Sequence, residues 1–208
     1  MCEGICKMIY LYSGTPGSGK SLHAVAEMLR YNRKGYPVIA NFQLNPESVK
    51  NPDLMMWTDN QNLTPAMLEQ YSAYYWQSEG GRVREDRILL VIDEAQLVFN
   101  ARAWQKNSPW IVFFTQHRKM GFCVILIAQQ REMIDKQVRA VLEYEYRHRV
   151  LSNAGPFGVV FSWILGTRFL YRKELAQIRT AGKGMKLGWS LGHYGRRVFR
   201  AYDTFKTW

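Results

Sequence analysis

Two rhythms of apolar and polar positions run along this chain. Apolar runs, unbroken but for Asn41, occupy residues 8–12, 38–42, 88–92 and 123–128. Such runs predict strands covered on both faces, because a half-exposed strand would alternate. Between them, apolar residues recur every three or four positions and predict helices. One helix runs through residues 22–29. A second opens at Thr64-Pro65, as N-cap and first helical residue, and continues to about Gln77. A third opens at Ser108-Pro109 and stops at Gly121, and a fourth covers residues 134–142. Gly35-Tyr36-Pro37 and Gly80-Gly81 interrupt the pattern. Residues 45–62 read as a polar, turn-rich loop with a short strand at most, and residues 82–87 as charged and exposed. Strands alternating with helices predict an α/β fold, with a parallel sheet flanked by helices on both faces.

The rhythm changes after residue 143. Tyr144, Tyr146, His148 and Val150 alternate with Glu145, Arg147 and Arg149, the pattern of a half-exposed strand. Residues 152–156 read as a turn. Residues 157–165 and 168–172 read as two further strands about Gly166-Thr167, and residues 181–195 as glycine-rich and irregular. The expected organisation is one domain over residues 1–208, with a β-rich, basic C-terminal part from residue 144. Residues 1–7 carry no pattern and read as a flexible extension. No internal repeat is present.

Composition narrows the class. A chain of 208 residues that is 47% hydrophobic and 14% aromatic buries a core without staples and is not a disordered chain. Cys2, Cys6 and Cys123 form no evident framework; Cys123 reads as a small apolar residue of a buried strand, and the set points to a reducing compartment. The N-terminus shows no signal-peptide pattern, and the run from Val159 to Leu165 is too short to span a membrane. The net charge is +11. From Gly166 onward ten Lys and Arg face only Glu174 and Asp203, so an excess of about +8 lies in the last fifth. Arg196, Arg197 and Arg200 belong to this segment. It reads as a solvated face, a nucleic-acid patch or a segment lying on an anionic membrane.

The most specific chemistry lies between the first strand and the first helix. Gly14-Thr15-Pro16-Gly17-Ser18-Gly19-Lys20-Ser21 matches G-x-x-x-x-G-K-[ST], the P-loop that wraps nucleotide phosphates. The glycines let backbone N–H groups face an anion, and the helix N-terminus adds its positive end. Lys20 is the expected mobile cation for the β- and γ-phosphates, and Ser21 the expected hydroxyl for Mg²⁺. Leu22 completes the expected ATP-binding set. The apolar run 88–92 ends in Asp93-Glu94, where Asp93 is expected to position Mg²⁺ and Glu94 to activate water.

The run 123–128 ends in Gln129-Gln130, and either glutamine could report the γ-phosphate; Gln129 is the preferred candidate. His117-Arg118-Lys119 suits a helix C-terminus, and Arg118 could reach a phosphate or DNA. Arg131 and Arg139 read as ordinary surface cations rather than fingers into a neighbouring site.

These residues resemble a known family. The stretch from Met8 to Ser21, Val91-Ile92-Asp93-Glu94-Ala95-Gln96, His117-Arg118-Lys119-Met120-Gly121 and Leu126-Ile127-Ala128-Gln129-Gln130 look like the zonular occludens toxin (Zot) N-terminal domain. That family includes the assembly ATPases of filamentous phages. The closing Phe199-Arg200-Ala201-Tyr202-Asp203-Thr204-Phe205 is similar to the family's ending before its membrane anchor. The resemblance implies a three-layer, additional-strand P-loop fold akin to the FtsK/HerA DNA-pumping ATPases. It implies Mg²⁺–ATP hydrolysis that powers phage extrusion, with catalytic Lys20, Glu94 and Gln129. It also implies a homo-oligomer at the cytoplasmic face of the bacterial inner membrane, held by an anchor absent from this soluble fragment. Single-stranded phage DNA or coat and assembly proteins are the implied partners. The alternatives are a nucleotide-gated DNA or coat-protein adaptor with little turnover, and a small-molecule kinase.

Overall fold

A computed structural model describes residues 8–99, 107–151, 155–180 and 183–202. Its centre is one eight-stranded sheet. In chain order the strands are β1 (Ile9–Gly14), β2 (Val38–Ala40), β3 (Met55–Trp57), β4 (Ile88–Ile92), β5 (Phe122–Ala128), β6 (Tyr144–Val150), β7 (Phe169–Thr180) and β8 (Lys183–Gly192). Their spatial order is β3-β2-β4-β5-β1-β6-β7-β8. The first six run parallel, and β7 and β8 return antiparallel. One strand, β5, separates β1 from β4. That interposed strand is the additional-strand arrangement that the family resemblance implies.

Helices cover both faces. On one side α1 (Lys20–Arg33) and the short α7 (Arg196–Ala201) lie over Tyr12, Val38, Leu89, Val91, Ile125 and Ile127. On the other, α2 (Pro65–Ser78), α4 (Ser108–Gln116) and α5 (Lys136–Val141) pack Leu68, Trp76, Phe113, Phe114 and Val138 on Leu11, Leu90, Val124 and Leu126. Strands β4 and β5 are buried at every position, which is why their sequences read as unbroken apolar runs. The Thr64 hydroxyl accepts from the Met67 amide, as an N-cap should, and Gly121 ends the turn after α4 at φ +83°.

The structure corrects five expectations about the fold. Residues 82–87 are not exposed throughout, because Asp86 is buried. Residues 157–165 do not form a strand; they lie in α6 (Gly155–Ile164) and the turn after it. An apolar run without alternation does not distinguish strand from helix, and Pro156 is tolerated in a first helical turn. Most of the segment expected to be irregular is β8, whose Met185, Leu187, Trp189 and Leu191 alternate. Gly184 and Gly188, set among the polar positions, dilute that period in the sequence. The polar side of β6 is not uniformly exposed: Glu145 is buried, with the Ser13 hydroxyl and Arg131 packed on its carboxylate. Cys123 is disulfide-bonded rather than a free apolar residue. Residues 1–7, with Cys2 and Cys6, lie outside the described residues.

Candidate functional site

The parallel strands place their carboxyl ends together, and the candidate residues gather there. Strand β1 ends at Gly14, whose N–H donates to the Gln129 carbonyl at 3.2 Å, just beyond β5. On its other side Gly14 is level with His148 of β6. A Cβ on Gly14 would lie 2.4 Å from the His148 carbonyl oxygen, so only glycine fits. Gly17 and Gly19 adopt left-handed conformations at φ +74° and +88°. A Cβ on Gly19 would strike the Phe169 ring at 2.5 Å, so β7 seats the loop from behind.

The loop leads directly into α1. No side chain caps that helix and its first turn carries no acid, leaving its amide end available for an anion. Ser18 is fully buried, and among the described residues its hydroxyl has no hydrogen-bond partner. Lys20 Nζ donates to the carbonyls of Gly14 at 2.9 Å and Thr15 at 3.1 Å. Burial lowers the Lys20 pKa, while Asp93 and Glu94 act to raise it. A cradle of left-handed glycines, an unpartnered buried hydroxyl and a partly desolvated lysine fit a phosphate chain.

Ser21 and Asp93 meet across the helix–sheet gap. The Ser21 hydroxyl donates to Asp93 Oδ2 at 3.1 Å. Burial raises the Asp93 pKa, opposed by hydrogen bonds from the Glu94 amide and Ser21. Asn41, just past β2, holds the Asp93 backbone at both ends. Its Oδ1 accepts from Asp93 N at 2.7 Å, and its Nδ2 donates to Asp93 O at 2.8 Å. A hydroxyl and a carboxylate are hard oxygen donors of the kind Mg²⁺ takes alongside phosphate oxygens and water. Among the described residues no cluster of three His, Cys, Asp or Glu forms a self-sufficient metal site.

Glu94 is exposed and left-handed at φ +48°, an uncommon conformation for a non-glycine residue. Its carboxylate accepts from the Gln96 side-chain amide. Gln129 is half-buried beside the glycine loop, whereas Gln130 is exposed.

The other candidate cations lie elsewhere. Arg118 makes a two-pronged pair with Glu143 at 2.7 and 2.8 Å. It precedes β5, so the length of that strand, about 20 Å, separates it from the glycine loop. Arg131 is buried, 3.8 Å from Glu145, and points inward rather than toward a neighbouring chain. Arg139 is partly buried, with its carbonyl facing Arg131.

Two groups escaped the sequence reading. Behind the loop, His23 of α1 and His148 of β6 meet at 2.9 Å. His148 Nδ1 faces the carbonyls of Tyr146 at 2.9 Å and Ser13 at 3.3 Å. Carbonyls only accept, so Nδ1 carries the proton and Nε2 accepts from His23 Nδ1–H. Tyr12 and Tyr171 stack on the two sides of His23, each 4.4 Å away. Burial holds both histidines neutral, His148 lowered to about 4 and His23 well below its ordinary range. Beside them the Ser13 hydroxyl donates to buried Glu145 at 2.6 Å.

The second group is Tyr202, just beyond α7. Its ring meets Phe42 edge-on at 5.5 Å, and burial raises its pKa, with Ser21 acting against that rise and Asp93 and Glu94 adding to it. Its sequence signals were a place beside a basic run and within the family-like ending Phe199 to Phe205, and neither points to the phosphate loop.

Known proteins share this arrangement. The N-terminal domain of zonular occludens toxin from Neisseria meningitidis superposes with a TM-score of 0.55 at 19% identity, covering 95% of this chain and 100% of that one. The genome packaging NTPase B204 of Sulfolobus turreted icosahedral virus 2, solved with ATP-gammaS, gives 0.55 at 14% identity, over 84% and 95%. At these identities the likeness concerns the P-loop NTPase fold. In sequence, the gene 1 protein of Enterobacteria phage M13 is 25% identical over 211 residues, 94% of this chain and 59% of that protein. The gene 1 protein of Enterobacteria phage I2-2 is 32% identical over 144 residues, 64% and 38%. The chain thus spans well under two thirds of the length of these relatives. The family model for zonular occludens toxin (Zot) matches residues 8–167, and the chain belongs to that family.

Proposed function

We propose that this chain is the ATP-hydrolysing motor domain of a phage assembly protein. The observation that carries the reading is the Ser21–Asp93 contact at 3.1 Å beside the glycine loop, because it joins the phosphate cradle to a metal-ready acid. Residues 14–22 would hold the triphosphate, with Lys20 leaving the loop carbonyls for the β- and γ-oxygens. Ser21 and Asp93 would hold Mg²⁺. Bound Mg²⁺–ATP would supply an electrophilic γ-phosphorus and a stabilised leaving group. Glu94, exposed and aimed away from the core, would take the proton from an attacking water. Gln129, whose carbonyl anchors Gly14, would sense the γ-phosphate.

Kinship with the gene 1 proteins and with a packaging NTPase supports motion as the output, directed at single-stranded phage DNA or coat and assembly proteins. An oligomer on the cytoplasmic side of the inner membrane is part of the same proposal, as is the treatment of the whole chain as one domain. Among the described residues no helix is long and apolar enough to cross a membrane, so an anchor would lie outside them.

The test is nucleotide titration of Lys20→Ala. Loss of ATP affinity by about 100-fold or more is expected, because charge-assisted phosphate contacts are the strong ones in such loops. Unchanged affinity would overturn the assignment. Turnover measured with and without single-stranded DNA separates a motor from an adaptor that binds ATP but barely hydrolyses it.

A further inference from the structure

Helix α6 is turned the opposite way from the surface helix of a soluble domain. Such a helix presents its bulky apolar side chains to the core and its polar ones to water. In α6 Phe157 is 79% and Trp163 85% exposed, and Val159, Val160 and Ile164 are exposed with them. The helix sits in the connection between the antiparallel strands β6 and β7. At its foot the Leu151 N–H donates to the Arg168 carbonyl at 2.8 Å. Strand β6 runs parallel to β1 with His148 level with Gly14, so α6 rises from the same end of the sheet as the glycine loop. Contiguous exposed apolar side chains of this size mark a contact surface.

The charges around α6 select its partner. From Val150 to Thr167 the sequence carries no charged side chain, and between Glu145 and Glu174 it carries no acid. The Lys and Arg of that interval are Arg147, Arg149, Arg168, Arg172 and Lys173. Arg149 and Arg168, both exposed, stand at the two ends of the α6 connection. A second copy would bring the same cations against these, and like charges at contact distance repel. An anionic lipid layer matches both features. Its headgroups attract the arginines, and Trp and apolar side chains settle at the boundary beneath them. The ten residues of α6 reach about 15 Å, half of a hydrocarbon core about 30 Å thick, so the helix suits one face of a bilayer and does not cross it.

We propose that the exposed apolar side chains of α6 insert into the interface of an anionic lipid bilayer, with Arg149 and Arg168 on its headgroups. This contact is separate from any anchor and from the arginines of α7. It gives the membrane location proposed above a surface within the described residues. It also turns the carboxyl end of the sheet, with the glycine loop, toward the bilayer. The inference rests on α6 and its flanking cations and not on the phosphate-loop reading.

The experiment is flotation of the full chain with vesicles of phosphatidylcholine alone or mixed with phosphatidylglycerol, at low and high salt. The wild type should float with the mixed vesicles at low salt and far less with the neutral ones. Phe157→Ser combined with Trp163→Ser should lower partitioning about 10-fold or more at either salt, the scale of two large apolar side chains partly withdrawn from water. Arg149→Gln combined with Arg168→Gln should lower it about 10- to 30-fold at low salt and little at high salt. Both double variants should keep the wild-type urea midpoint and ATPγS affinity, because all four side chains are exposed and none belongs to the phosphate site. A wild type that stays off both vesicles at low salt overturns the proposal and leaves the ATP reading standing. Flotation without nucleotide binding overturns only the ATP reading. If the Phe157→Ser, Trp163→Ser variant floats like the wild type, the proposal also fails, and binding belongs to the basic C-terminal segment. Lipid-free self-association that the same two substitutions abolish, with no flotation, gives the face to a second copy instead.

Discussion

Strands β4 and β5 are buried along their whole length, whereas the β7–β8 hairpin leaves Ile178, Met185, Leu187 and Trp189 exposed. The two regions belong to one sheet but bury different chemistry. The central strands bury only apolar side chains, and every polar group of the candidate site sits at or beyond a strand end: Gly14 closing β1, Asp93 after β4, Gln129 after β5. The hairpin side instead buries charge within its strands. Glu145 lies near Arg131 and Arg147, and Glu174 is paired with Arg172. The difference implies that the central strands carry stability and lead into the candidate site, while the hairpin positions Phe169 behind Gly19 and otherwise contributes modestly. Buried ion pairs are poor sources of net stability, because desolvation offsets much of the attraction.

The largest expected effect falls at the end of a central strand. Glu94→Gln should keep nucleotide bound and cut hydrolysis by about 100-fold or more, as loss of a positioned base usually does. Single-turnover assays with pre-bound ATP check this. Normal turnover would move the base to another residue and detach the chemistry from β4. Next comes the strand itself. Leu90→Ala removes a fully buried side chain and should lower stability by about 2–5 kcal/mol in urea unfolding. A cost below about 1 kcal/mol would mean that the central layer relaxes around the cavity, and would erase the contrast with the hairpin.

The same contrast governs what the sequence reveals. The central strands and the glycine loop are local patterns, and each is readable within a window of ten residues. The helix α6 is ambiguous because its apolar run carries no period, and β8 because Gly184 and Gly188 dilute its alternation. Glu145 looks like a solvated charge until the topology places Arg131 beside it. His23 and His148 are 125 residues apart in the chain, so nothing local pairs them. Tyr202 meets Phe42 only because α7 packs in the same layer as α1, and that contact has no sequence signature at either end. The catalytic candidates were legible because a phosphate cradle needs particular residues at particular spacings; their supporting contacts were not.

The histidine pair lies at the seam between the two regions, one ring on α1 and one on β6. Both are held neutral by burial, so the unfolded chain binds protons that the folded chain does not. Stability should therefore be full above the ordinary histidine range and should fall as pH drops through about 6.5 toward 4. Between pH 7 and pH 5 the His148 contribution alone amounts to about 2 kcal/mol. Urea midpoints measured across that interval check it, with His148→Gln expected to flatten the profile. A midpoint independent of pH in both proteins would mean that the pair charges without cost and that the seam is open to water.

The smallest effect belongs to the hairpin. Trp189 is 52% exposed, yet the Arg172 guanidinium lies 5.3 Å above its ring. Leu187, 47% exposed, tests the same strand at a simpler position. Leu187→Ser should change stability by no more than about 0.5 kcal/mol, as exposed substitutions do. Trp189→Ser should cost about 0.5–1 kcal/mol, the scale of one exposed cation–π contact. Paired urea unfolding of these variants and Leu90→Ala resolves the difference, and the ratio decides more than either value. If Trp189→Ser costs as much as Leu90→Ala, Arg172 and its buried partner Glu174 depend on the ring for their geometry. The hairpin would then be a second, polar core, and its exposed apolar side chains would be its outer wall.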